Sequence, residues 1–310
     1  RVLSTEKKKP DLKFFQLKIQ KALKLRHHFD RKLTNAYRLI NGEGDLLPGL
    51  VVDLYNTTAV VQCDGPGMEE FWTQYPLSDW LQEDPAINFV ILKPRANKKL
   101  RALSQEAPPF IIPILEHGAQ FEVDIELGQK TGFFLDQRDN RHYIRSVCQN
   151  LTVLNLFSYT GGFSVNAGIG NARAVTSVDI SSGGIDNSQR NWEINQLPKE
   201  QHTGQAEDVF HFLDNCTERF DMVIVDPPSM TSSEKTKANG IKKYVDTFSK
   251  AAKKVRPGGH LVLSSCSSHI SFDDFFVSEW NVMGRAVSEF CHCATSLVKK
   301  NVKKSRFKRI

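Results

Sequence analysis

Residues 152–168 read "TVLNLFSYTGGFSVNAG", and this stretch decides the fold. Thr152–Leu156 is a short apolar run of the kind buried in a sheet, Gly161-Gly162 makes a turn, and 162–168 has helical character. A glycine turn of this kind lets backbone approach a ligand closely, ahead of a helix whose amino end favours anionic groups. The spacing is not G-x-G-x-x-G, so a dinucleotide is not the first expectation. Working outward, the alternation repeats. Strands are expected at 174–178, 222–225 and 260–263, with a further one ending near Asp208. Helices are expected at 182–195, 208–215, 240–254 and 272–290. Strand–helix alternation with short loops implies a mostly parallel sheet with helices on both faces. Ligands of such sheets sit outside the carboxyl ends of the strands, where the strand order reverses.

The residues that follow each strand are therefore the candidates. Asp179 in "AVTSVDIS" is placed either to accept hydrogen bonds from ribose hydroxyls or to cap the next helix. Asp208 in "QAEDVF" has the same two options, a helix cap or a partner for an adenine amino group. Asp226 in "VIVDPPSM" follows four apolar residues, and two prolines then stiffen the turn that carries it. Cys266 in "HLVLSSCSSHI" ends the last strand. It is either a small packing residue or a thiol held at the same rim as the three carboxylates.

Upstream the pattern differs. Phe15, Ile19, Ala22, Phe29, Leu33, Ala36 and Ile40 recur at helical spacing. They predict one long amphipathic helix, or two broken near His27-His28. "GLVVDLYNTTAVVQC" predicts a hairpin around Asn56-Thr57, followed by a helix from Met68 to Leu81 and a strand from Asn88 to Lys93. Residues 95–110 are polar and expected as loop. The expected domains are a basic helical segment (1–40), a small α+β domain (41–118), the sheet domain (119–298) and a basic tail (299–310).

At 310 residues, with 40% hydrophobic and 25% charged side chains, the chain has an ordinary globular composition and room for two domains. No apolar run has the length of a membrane span, so no membrane partner is expected. The six cysteines lack the spacing of a disulfide framework, which favours a reducing cytoplasm. Cys291 and Cys293 in "CHC" lack a second ligand pair, so no metal site is expected. Charge is uneven: residues 1–38 carry +9, the tail from Lys299 carries +7, and the total is +6. Basic ends suit a phosphate backbone, or are simply solvated.

The strings "GDLLPGLVVDLY", "GQKTGFFLDQRDNR", "NLFSYTGGFSVNAG", "VDIS", "DPPSM" and "SSCSS" resemble a class I S-adenosylmethionine-dependent methyltransferase. More narrowly, they are similar to the RlmI-type family, which makes 5-methylcytosine in large-subunit ribosomal RNA. The resemblance implies a Rossmann-like α/β methyltransferase sheet preceded by a small α+β domain. It implies S-adenosylmethionine as cofactor, with Phe157, Ser158, Tyr159 and Gly161 along its methionine end. Asp179 with Ile180 would serve the ribose, Asp208 the adenine, and Gln137 and Arg138 would close the pocket. Asp226 would face the base and Cys266 would be the nucleophile. A single-stranded or flipped cytosine of ribosomal RNA is the implied substrate. Ser229, rather than an aromatic, follows the two prolines, which argues against exocyclic-amine methylation. A guanine-N7 methyltransferase of the same fold, or a non-catalytic RNA-binding relative, are the alternatives. The sequence leaves the oligomeric state open, a homodimer included.

Overall fold

The computed structural model describes residues 10–95, 99–267, 269–271 and 274. Contacts divide the chain into two compact units, Arg1–Arg138 and Asp139–Ile310. Apart from Asp274, the helix expected at 272–290 lies outside the described residues, as do Ser268, Cys291, Cys293 and the basic tail.

In the first unit, α1 (Leu12–Leu25) starts at Asp11, whose carboxylate accepts the Phe14 N–H. Its apolar stripe, Phe15, Ile19 and Leu23, is buried. The helical periodicity does not continue beyond it: Ala36–Asn41 is a strand, β1. Ala36 and Ile40 are four apart, which fits a helix face. The run "AYRLIN" instead pairs antiparallel with β2 (Leu50–Tyr55), where Tyr37 opposes Leu54. Sheet pairing overrides a spacing that two structures share. β2 turns through Asn56, at φ +54°, into β3 (Thr58–Cys63). The expected 68–81 helix is two short ones, α2 (Pro66–Thr73) and α3 (Leu77–Leu81), because Pro76 interrupts it. β4 (Phe89–Leu92) and a two-residue β5 (Arg101–Ala102), inside the stretch expected as loop, complete a sheet ordered β1-β2-β3-β4-β5.

β6 (Ile111–Glu116) and β7 (Ala119–Asp124) form a separate hairpin. Thr131 donates to the buried Asp53 at 2.6 Å, and the Phe133 N–H donates to Tyr55 Oη at 3.1 Å. Those bonds tie residues past 119 to the first unit. The division therefore falls at 138/139 instead of the 118/119 boundary read from the sequence.

The second unit begins within α4 (Arg138–Val147) and alternates regularly from there. Its order is β8 (Thr152–Leu156), α5 (Gly162–Ile169), β9 (Ala174–Asp179), α6 (Ser182–Ile194), β10 (His202–Ala206), α7 (Val209–Asn215), β11 (Phe220–Val225), α8 (Lys237–Ala252) and β12 (Val255–Leu263). All five strands are parallel, in the order β10-β9-β8-β11-β12. The chain thus starts in the middle, builds one flank, then returns to build the other, so the order reverses between β8 and β11.

Alternate strand residues feed two cores, as a period of two requires. Val153, Val175, Met222, Ile224 and Val262 pack with Ile144, Phe163 and Trp192. Leu154, Val178, Val223, Val225 and Leu263 pack with Phe212, Tyr244 and Phe248. Helices therefore cover both faces, as expected. At the opposite strand ends, Asp221 accepts the Thr152 N–H and hydroxyl and pairs with Arg256. Burial would raise its pKa, yet these donors hold it at about 2. Among the described residues no helix is long and apolar enough to cross a membrane.

Candidate active site

The carboxyl ends of β8 and β11 flank the point of order reversal, and the two halves of a site are built there. On the β8 side the backbone coils tightly: Phe157, Tyr159 and Gly161 have φ of +58°, +48° and +77°. Two non-glycine residues in that region within three positions is unusual, and such strain collects at functional sites. Hydrogen bonds hold the coil. Ser158 N–H donates to Val178 O at 3.1 Å, and Gly161 N–H to Ser158 O at 2.9 Å. Tyr159 N–H donates to Asp179 Oδ2 at 2.8 Å. Gly161 has no alternative: a Cβ there would lie 2.1 Å from Ser188 Oγ on α6.

Asp179 ends β9, half-buried, and also accepts the Ser181 N–H at 2.9 Å. It is not the helix cap, since Ser181 caps α6 through Gly184 N–H. Asp208 does cap, accepting the Phe210 and His211 N–H groups through Oδ1. Beside these carboxylates two apolar side chains stand in solvent, Ile180 at 74% and Phe210 at 37% exposure. Phe210 also meets Phe157 edge-on, with ring centroids 6.2 Å apart.

Within the coil, Ser158 is buried, and among the described residues its Oγ has no hydrogen-bond partner. A buried hydroxyl without a partner is costly unless a ligand completes it. The β8 side therefore offers a strained glycine cradle, a buried hydroxyl with no partner among the described residues, a rim carboxylate and two exposed apolar side chains.

On the β11 side, Asp226 follows Val225, whose carbonyl accepts the Ser264 N–H from the end of β12. Cys266 is exposed, and its thiol lies 3.6 Å from the Pro227 carbonyl. Cys63 and Cys148 are instead buried, and burial pushes their thiols up to about 12 and about 11.

Two side chains hold the Cys266 loop, Ser267 within it and Tyr244, which no strand-end pattern indicated. Tyr244, buried in α8, accepts the Ser265 hydroxyl at 3.1 Å and meets Ser267 Oγ at 2.9 Å. Ser267 Oγ also receives the Met230 N–H at 3.1 Å and lies 3.0 Å from Ser229 Oγ. Both neighbours of the thiol are thus tied to α8, and the second also to the Asp226–Ser229 turn. Tyr244 falls at a core position of α8, so the sequence marks it as packing only.

Residues 88–289 match the family described as S-adenosylmethionine-dependent methyltransferase. The ribosomal RNA large subunit methyltransferase I of Erwinia tasmaniensis is 36% identical over 277 residues, covering 86% of this chain and 69% of that protein. This chain belongs to the S-adenosylmethionine-dependent methyltransferases. A solved structure described as a SAM-dependent methyltransferase from Streptococcus mutans superposes with a TM-score of 0.83 at 27% identity, covering 92% of this chain and 75% of that one. A second, of a methyltransferase complexed with SAH, gives the same TM-score, identity and coverage.

The second unit carries groups that fit the cofactor of this family. Phe157, Ser158, Tyr159 and Gly161 form the coil, in which the Ser158 hydroxyl has no partner among the described residues, Asp179 stands at the adjacent strand end, and Ile180 and Phe210 are exposed nearby. Asp208, spent on its helix cap through Oδ1, stands at the β10 end. Gln137 ends a short turn and Arg138 opens α4; both belong to the first unit, where the Arg138 guanidinium lies 4.7 Å over the Phe29 ring.

Proposed function

We propose that this methyltransferase acts on RNA and forms 5-methylcytosine in large-subunit ribosomal RNA, with Cys266 as nucleophile. The observation that carries the reading is the exposed Cys266 thiol, held against the Pro227 carbonyl at the rim that bears Asp226. The name of the Erwinia relative, a ribosomal RNA large subunit methyltransferase, supports the substrate class.

C5 of cytosine is too weak a nucleophile to be methylated unaided. The Cys266 thiolate adds at C6, forming an S–C6 bond and pushing the ring electrons toward C5. Asp226 hydrogen-bonds the N3/N4 edge, where charge develops during addition. The cofactor, when bound, supplies the electrophilic methyl group for C5. Loss of the C5 proton to a base then expels the Cys266 thiolate and restores the aromatic ring. Residues 157–161, 179, 180 and 210 bind and orient the cofactor. The target base leaves its stack to reach this rim, so single-stranded or flipped RNA is the substrate form. The free thiols of the described residues suit a reducing cytoplasm.

Nucleoside mass spectrometry of ribosomal RNA treated with the protein and S-adenosylmethionine tests the reading. Wild type yields 5-methylcytosine and Cys266→Ala yields none. Wild-type turnover by Cys266→Ala would refute the nucleophile assignment, and 7-methylguanine as product would replace the cytosine reading.

A further inference from the structure

The second unit holds a cavity of about 550 Å³ that the chemistry above does not use. That volume lies within the ~300–1,000 Å³ range of small-ligand pockets. Its lining is mixed: Ser229, Thr231 and Asn239 supply polar groups, Lys242 and Lys243 charge, and Met230 apolar surface. The cavity is built deliberately. Gly240 brings α8 against the loop, since a Cβ there would lie 2.8 Å from Thr231 Cβ. Thr231 Oγ1 donates to Ser233 O at 2.9 Å and meets Thr236 Oγ1 at 2.7 Å, which fixes the loop's curve.

Charge decides what the cavity takes. Lys237, on the same helix, is paired with Asp274 at 2.7 Å. Lys242 and Lys243 are exposed and enter no ion pair among the described residues. Asp246 is the one acid on the lining, a turn beyond Lys242. Two cations beside several hydroxyls and an amide match the oxygens of a phosphodiester, and a lone carboxylate matches a ribose hydroxyl. The cavity also adjoins the chemistry. Ser229 lines it, and Ser229 Oγ lies 3.0 Å from Ser267 Oγ, next in sequence to Cys266.

We propose that this cavity is a subsite for the sugar–phosphate of an RNA nucleotide neighbouring the methylated one, with Lys242 and Lys243 on its phosphate and Asp246 on its 2′-hydroxyl. The proposal rests on the RNA reading above. It gives the strand a second hold beside the nucleophile, which fixes the direction in which RNA crosses the rim.

The test measures binding of the SAH-loaded full chain to a cytosine-containing single-stranded RNA oligonucleotide across a salt series. Each phosphate contact contributes roughly 0.7 to the slope of log affinity against log salt. The variant Lys242→Gln/Lys243→Gln, which vacates that one phosphate, is expected to lower that slope by about 0.7 and to weaken binding roughly fourfold near physiological salt. Lys242→Arg/Lys243→Arg keeps the wild-type slope, and SAH affinity, read by calorimetry, stays unchanged in both. An unchanged slope and affinity in the Gln variant overturns the subsite. So does a joint loss of RNA and SAH binding, which marks a structural role. A wild-type protein that binds RNA with the expected slope but forms no 5-methylcytosine refutes the cytosine reading and leaves the subsite standing.

Discussion

Gly161 combines two constraints that no other residue type meets: a φ of +77° and a neighbour, Ser188 Oγ, 2.1 Å from where a Cβ would be. Gly161→Ala must both adopt a left-handed backbone and push α6 away. The expected cost is about 2–4 kcal/mol of stability, with SAH affinity down at least tenfold. Urea unfolding and calorimetry check the two effects separately. At the other side of the rim, Tyr244→Phe deletes one hydroxyl that two serines flanking Cys266 use. Stability should fall by roughly 1–2 kcal/mol. Turnover should drop about tenfold while SAH affinity holds, because the lost bonds belong to the thiol loop and not to the β8 coil. Unaltered turnover would show that the Cys266 loop holds its position without α8. These two residues differ in how readable they were. Gly161 announces itself by following a strand and opening a helix. Tyr244 occupies an ordinary apolar position of α8, and its hydroxyl partners lie more than twenty residues away.

β8, β9, β11 and the end of β12 were legible because each carries a largely apolar run with a polar residue after it, whereas β10 (HTGQA) was placed only by the Asp208 that follows it. The same rule placed Asp179, Asp226 and Cys266 on one rim. β1 was not legible, since its apolar spacing suits a helix equally well and only pairing with β2 decides it. Nor was the polar seam inside the sheet. Asn155 donates to Ser164 Oγ at 2.8 Å, Ser164 meets Ser177 at 2.7 Å, and Ser177 meets His202 Nε2 at 2.8 Å. His202 is also 3.0 Å from Gln189 Oε1 and stacks on Trp192. Burial depresses its pKa from 6.5 to about 4, so the folded protein keeps the ring neutral. The unfolded chain binds the proton more readily, so this contribution to stability is complete above pH ~6.5 and is lost as pH falls toward 4. The loss reaches roughly 3 kcal/mol across that window. His202→Gln should flatten the stability profile between those limits, as read by urea midpoints at stepped pH. An equally steep profile in the variant would assign the acid sensitivity elsewhere.

At the scale of the whole molecule, two separate cores share one chain. Phe15, Trp72 and Trp80 belong to the first, with β1 to β4 around them. The two faces of the parallel sheet make the second unit's core. The site residues of the β8 coil, with Asp179 and Asp226, all lie in the second unit, whereas Gln137 and Arg138 lie in the first. Units with independent cores unfold as separate cooperative blocks unless their interface is large. Calorimetry of the full chain should therefore resolve two transitions. SAH at a hundredfold excess over its dissociation constant stabilises whatever binds it by ~2.7 kcal/mol. The transition of the second unit should rise by about 2–4 °C for each of those kcal/mol, while the other stays in place. Hydrogen exchange by mass spectrometry assigns the two, because peptides from 152–179 should gain protection and those from 50–63 should not. If SAH instead raises a single transition and protects both sets of peptides equally, the units share one cooperative fold. In that case cofactor binding draws on the first unit as strongly as on the coil around Ser158.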